Sequence, residues 1–181
     1  MRERLEILAR KEKLSLNHLI NIALARYTEW GAIYQDIGLA VMSKRLLREL
    51  FANLTEEKAR ELGRKNGLEE APTLVIYLCQ KFDFESVLKT YGNILGRYSG
   101  AFAFDHSREG RLNTVVLRHE MGPNASAYYA DYAKSVCQLL GLECSVTESD
   151  AQVVIRAIEP IVLSGVAAIP APGAAGATPQ P

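Results

Sequence analysis

The stretch from Gly100 to Ala157 changes its hydrophobic period twice, and that order of periods restricts the fold more than any other feature of the chain. "GAFAFDHSREGRLNTVVLRHEMG" holds two β-rich runs on either side of the polar, glycine-containing "DHSREGR" and predicts a hairpin with a longer loop. "GPNASAYYADYAKSVCQLLGL" reads as a helix stopping at Gly141, with Tyr128, Tyr132, Val136 and Leu139 or Leu140 on its buried face. "ECSVTESDAQVVIRA" is a second hairpin, turning at Glu148 to Asp150. Strand, strand, helix, strand, strand closes most naturally as an antiparallel ββαββ sheet with helices on one face. The expected class is therefore α+β.

Ahead of it, "MSKRLLRELFANLT" carries Leu46, Leu47, Leu50, Phe51 and Leu54 at helical spacing. Thr55 then caps "TEEKARELGRKNG", with acids in the first turn and Gly67 as the stop. "APTLVIYLCQKF" is ambiguous, because Val75, Ile76 and Tyr77 favour a strand. "DFESVLKTYGNILGRY" is helical, capped by Asp83, with Val87, Leu88, Tyr91, Ile94 and Leu95 as its apolar stripe. The segments divide the chain into a helical pair over 1–30, an α+β region over 34–157 and an Ala/Pro/Gly-rich tail over 158–181. The tail lacks the large apolar side chains that offset ordering entropy, so disorder is expected there.

A formal net charge of zero excludes a globally basic nucleic-acid or membrane-surface protein, while leaving room for a local basic surface. Cys79, Cys137 and Cys144 are odd in number and lack CxxC spacing. They read as reduced core residues of a cytoplasmic protein, not as a disulfide framework or a metal site. No signal peptide is read in the charged opening residues, and "IVLSGVAAI" is far shorter than the ~20 residues of a membrane span.

The chain opens with two short amphipathic helices. The first, from Arg2 to Glu12, has a narrow stripe of Leu5, Leu8 and Ala9. The break ends at Ser15, whose hydroxyl can cap the second. There Leu16, Leu19, Ile20, Ala23, Leu24 and Tyr27 form a wide apolar face. Two helices this short need a partner, either the following domain or a second copy.

"RLEILARKEKLSLNHLINIALARY" resembles the two-helix portion of ribbon-helix-helix DNA-binding proteins, the Arc-, MetJ- and CopG-like family. The matching features are Leu-x-x-Leu-Ala in the first helix, the polar break ending in Ser15, and "SLNHLINIAL" running into an arginine and an aromatic. The resemblance covers residues 4–27 only. It implies a homodimer whose second helices pack together through Leu16, Leu19, Ile20, Ala23, Leu24 and Tyr27. It also implies that the amides of Ser15, Leu16 and Asn17 hold a phosphate of double-stranded DNA, with Lys11 and Lys13 alongside. A helix N-terminus suits an anion. In that family a β-strand before the first helix reads the bases, and here Met1 stands where that strand should have ended. The expectation is either an upstream start or a module reduced to a dimerisation device. A plain helical hairpin packed on the second domain is the other reading, and His18 there is a solvated surface residue.

No nucleophile elbow, phosphate loop, dinucleotide fingerprint or metal-ligand spacing is present, so neither an enzyme nor a cofactor is expected. His106 falls in a hairpin loop. His119 and Glu120 are neighbours on a strand and point to opposite faces, which argues against one shared ion. Asn124 is the expected cap of the helix beginning near Ala125, and the junction around His119 and Asn124 is the best small-molecule candidate. His119 as a turn-supporting or core residue is the alternative. "NTVVLRHEMGPNASAYYADYAKSVCQLL" is similar to a domain that follows such helices in prokaryotic, especially archaeal, proteins of unassigned activity, a likeness running over roughly 39–157. The element order is also similar to that of 4-vinyl-reductase and haem-nitric-oxide-binding sensor domains, although the haem-pocket motif Tyr-x-Ser-x-Arg is missing. The resemblances imply a homodimeric transcriptional regulator with a ligand-sensing or oligomerisation domain, or else a dimerisation protein that does not bind DNA.

Overall fold

The computed structural model describes residues 1–34 and 36–160. Helices α1 (Arg2–Glu12) and α2 (Leu16–Arg26) come first, separated by Lys13 in the left-handed conformation at φ 56°. Ser15 caps α2 by accepting the His18 amide at 3.2 Å. One π-helical turn, Tyr27–Gly31, extends α2. Helices α3 (Lys44–Ala52) and α4 (Glu56–Cys79) are capped by Ser43 and Thr55. Helix α5 (Phe84–Leu88), capped by Asp83, runs on without a break into a second π-helical segment, Lys89–Gly96. Strands β1 (Ala103–Glu109) and β2 (Leu112–Arg118), helix α6 (Pro123–Leu139), and strands β3 (Glu143–Ser149) and β4 (Gln152–Ile158) complete the chain. Among the described residues no helix is long and apolar enough to cross a membrane.

The fold is α+β. Its antiparallel four-stranded sheet has the order β1-β2-β4-β3, with Val115 opposite Ile155 and Leu117 opposite Val153 in the central pair. These four side chains, with Ala157, are buried against Ala130 and Cys137 of α6. The π-helical segment lies beside α6 on the same face of the sheet, and α4 packs on α6 as an outer layer.

Several sequence expectations are corrected. Gly67 does not stop α4, and Val75 is not in a strand: the helix runs 24 residues to Cys79 through Pro72. The reason is a stripe at every fourth position, Ala59, Gly63, Gly67, Ala71 and Val75, all buried. A Cβ at Gly63 would stand 2.2 Å from the Tyr128 carbonyl oxygen, and one at Gly67 2.6 Å from that of Tyr132. Glycine is what lets the two helix backbones approach this closely. The first hairpin has no long loop either. "DHSRE" belongs to β1, leaving Gly110, at φ 60°, and Arg111 as the turn. The second turns at Asp150 and Ala151. Gly141 does end α6, at φ 64°. Ile158 still belongs to β4, and Glu159 accepts from Asn113 at 2.7 Å, so the tail begins later than 158. The expected disorder concerns residues 161–181, which lie outside the described residues.

Asp131 of α6 ties the layers together. Its carboxylate meets Arg64 at 2.6 Å, Lys134 at 2.9 Å and Arg60 at 3.3 Å, and Arg60 also bonds Glu148 of β3. Burial alone would raise the Asp131 carboxyl. The three cations outweigh it and leave the group below the ordinary carboxylate range.

Candidate functional site

At the junction expected to hold a ligand, His119 and Asn124 make hydrogen bonds within the fold. His119 is 4 % exposed at the end of β2. Its Nδ1 accepts the Met121 amide at 3.3 Å and its Nε2 lies 3.0 Å from the Ser126 hydroxyl, which bonds the Ser149 carbonyl. One neutral tautomer serves this whole chain: Nε2–H donates to Ser126, whose own proton goes to Ser149. Burial lowers the His119 pKa from 6.5, which favours that neutral form. Asn124 is not the cap of α6: Gly122 is, with Pro123 in the first turn. The Asn124 amide donates to the carbonyls of Leu54 at 2.8 Å and Phe51 at 3.2 Å, closing the C-terminal end of α3. His106 lies within β1 and bonds Asn113 at 2.9 Å. Cys137 is buried, Cys79 and Cys144 are half-buried, and all three are free thiols.

The opening helices place Lys11, Lys13, Ser15 and Asn17 as exposed residues at the α1–α2 junction, with Leu16 half-buried. The apolar face of α2 divides. Leu19 is buried and Leu16 and Ile20 are half-buried, whereas Ala23, Leu24 and Tyr27 are exposed, Leu24 at 58 % and Tyr27 at 63 %. The pair is joined to the domain through its π-helical turn. Trp30 stacks on Tyr98 at 6.2 Å, and Glu29 accepts from Tyr98 and pairs with Arg97 at 3.5 Å.

The feature that sequence reasoning missed lies between α6, the α5–π run and the sheet. There the layers border a partly open cavity of about 250 Å³. Interiors close-packed like organic crystals hold few voids larger than a water molecule, so this is a pocket and not a packing defect. Tyr128, Tyr129, Tyr132, Ala133 and Cys137 face it from α6, and Phe84, Leu88, Tyr91 and Leu95 from the α5–π run. Val115, Leu117 and Ile155 form its floor, and Phe104 closes the side. Gly92 and Gly96 make that wall possible, since a Cβ on either would stand 2.9 Å from Phe104. None of the lining residues is charged.

The polar atoms of the lining are phenols and one thiol. The Tyr91 and Tyr132 hydroxyls bond each other, and Tyr128 accepts from Asn66 at 3.1 Å. Burial pushes all four tyrosines above their ordinary range, and also the Cys137 thiol. They are neutral donors, not bases or nucleophiles. The rings of Tyr128 and Tyr129 meet edge-on at 5.3 Å and fix one another. A haem does not fit: the lining holds no histidine to ligate its iron and no cation for its carboxylates. The signal for this site in the sequence is the close spacing of Tyr128, Tyr129 and Tyr132, of which Tyr128 and Tyr132 also fit an ordinary buried face.

No family model matches the chain, and no curated protein matches it. It is similar in shape to a solved structure described as "Cs H-NOX mutant with unnatural amino acid 4-cyano-L-phenylalanine at site 5". The likeness covers 71% of this chain and 85% of that one, at 14% identity and a TM-score of 0.48, a level that assigns no function.

Proposed function

We propose that the protein is a ligand-responsive regulator. Its α+β domain takes a small apolar molecule into the cavity, and the α1–α2 pair is the output surface. That pair associates with a second copy and contacts the DNA backbone through Lys11, Lys13 and the start of α2. The observation that carries the reading is the uncharged, largely apolar cavity of about 250 Å³. Its connection to the output also supports it. The helical run that brings Tyr91 and Leu95 to the cavity ends at Arg97 and Tyr98, the residues that hold Glu29 and Trp30. Ordering that run with ligand would alter the seat of the helical pair.

Saturable binding of isopropylbenzene to the full chain, abolished in Ala133→Phe, is the expected result by calorimetry. Absence of binding by any small apolar probe would overturn the ligand reading. For the output, a mobility shift on duplex DNA that weakens steeply between about 50 and 200 mM salt is expected. A second reading, association without DNA, is favoured by one observation: Leu24 and Tyr27 are exposed on a chain of zero net charge. A dimer that gives no salt-sensitive shift selects that reading.

A further inference from the structure

The hydroxyl protons lining the cavity narrow the class of ligand, an inference that rests on the cavity being the ligand site. Tyr128 accepts from Asn66, so its own proton is not used in that bond. Whichever of Tyr91 and Tyr132 donates to the other, one proton of that pair is left over. Tyr129 has ring contacts with Phe102, His119 and Tyr128, but its hydroxyl has no hydrogen-bond partner among the described residues. Among the described residues no buried side-chain oxygen or nitrogen is sealed away without a partner, so the oxygen of Tyr129, a residue of the cavity lining, is open to water or a small molecule. The cavity therefore offers donors in excess of acceptors on an otherwise apolar wall.

We infer that the ligand is a neutral, mostly apolar molecule bearing a hydrogen-bond acceptor such as a carbonyl oxygen, which Tyr129 receives as donor with Tyr128 beside it. Charge excludes the anionic relatives of such a molecule. With no lysine, arginine or histidine in the lining, a carboxylate would be buried without a counter-charge, which disfavours it strongly. Elevated phenol pKa values keep the tyrosines protonated as donors. Size sets the remaining limit. Scaled from the ~150 Å³ apolar cavity that holds benzene, the pocket takes about ten non-hydrogen atoms.

Three probes of nearly one shape test this on the full chain by calorimetry: acetophenone, isopropylbenzene and benzoate. Acetophenone is expected to bind about tenfold tighter than isopropylbenzene, and benzoate at least about tenfold weaker than acetophenone. In Tyr129→Phe the acetophenone preference is expected to fall to within about twofold of isopropylbenzene. Isopropylbenzene still binds this variant saturably, which shows that it is folded. Equal affinity for acetophenone and isopropylbenzene, tightest binding of benzoate, or a preference that survives in Tyr129→Phe overturns the inference while leaving the cavity as a site. If none of the three binds, the cavity reading itself fails, and this inference with it.

Discussion

At the scale of single residues, His119 shows how a side chain with the credentials of a ligand can be committed to the fold. Sequence placed it correctly at the end of a strand beside a helix start. It could not show that Met121 and Ser126 would occupy both ring nitrogens, because those partners are fixed by how the chain turns at Gly122. The commitment has a pH signature. The folded pKa lies below the ordinary 6.5, so below pH 6.5 the unfolded chain binds the proton first. Stability is expected to fall as pH drops from 6.5 to the lowered folded value and to level off below it. Urea midpoints at a series of pH values should show this slope in the wild type, and a flatter one in His119→Gln. Asp131 acts in a different window. Its carboxyl is lowered from 3.8, so its contribution is intact above that value and lost as pH falls through the folded pKa.

Among the elements, the α4–α6 contact explains both what was legible and what was not. The strands, α6 and the stop at Gly141 followed from local period and turn chemistry, and so did the caps at Ser15, Thr55 and Asp83. Helix α4 was cut short at Gly67 because glycine and Pro72 are breakers in isolation, and Val75, Ile76 and Tyr77 are strand formers. Tertiary packing overrode propensity: the small residues at every fourth position are an interface, and their meaning appears only when α6 lies against them. Gly63→Ala is expected to destabilise the protein by about 3 kcal/mol in chemical denaturation, because the new methyl would meet the Tyr128 backbone, which cannot move aside as a side-chain tip can. Ala substitution at Gly38, where no atom lies near, is limited to the cost of its positive φ, about 1 kcal/mol. The cavity stayed invisible in the sequence for a related reason. An apolar stripe looks alike whether it meets a partner or an empty space, and only the spacing of α6, the π-helical segment and the sheet separates the two cases.

For the molecule as a whole, the α1–α2 pair is an appendage with its own exposed apolar edge and a narrow joint to the domain. If that edge is where two copies meet, Leu24→Glu combined with Tyr27→Glu should convert a dimer to a monomer in light scattering. The melting temperature of the domain should stay within a few degrees, because both side chains are largely exposed in the single chain. The π-helical segment from Lys89 to Gly96 bears on how such a protein can diversify. One residue more or less in a helix turns every side chain that follows by roughly a quarter of a turn. Insertion or deletion of one residue in this segment would swing Leu95 off the cavity and, in the same stroke, carry Tyr98 away from Trp30. If the cavity is the ligand site and the helical pair its output, a length change here would alter ligand preference only by severing the output. On that reading, descendants of this chain acquire new ligands by exchanging side chains within a fixed count of residues, not by changing the count.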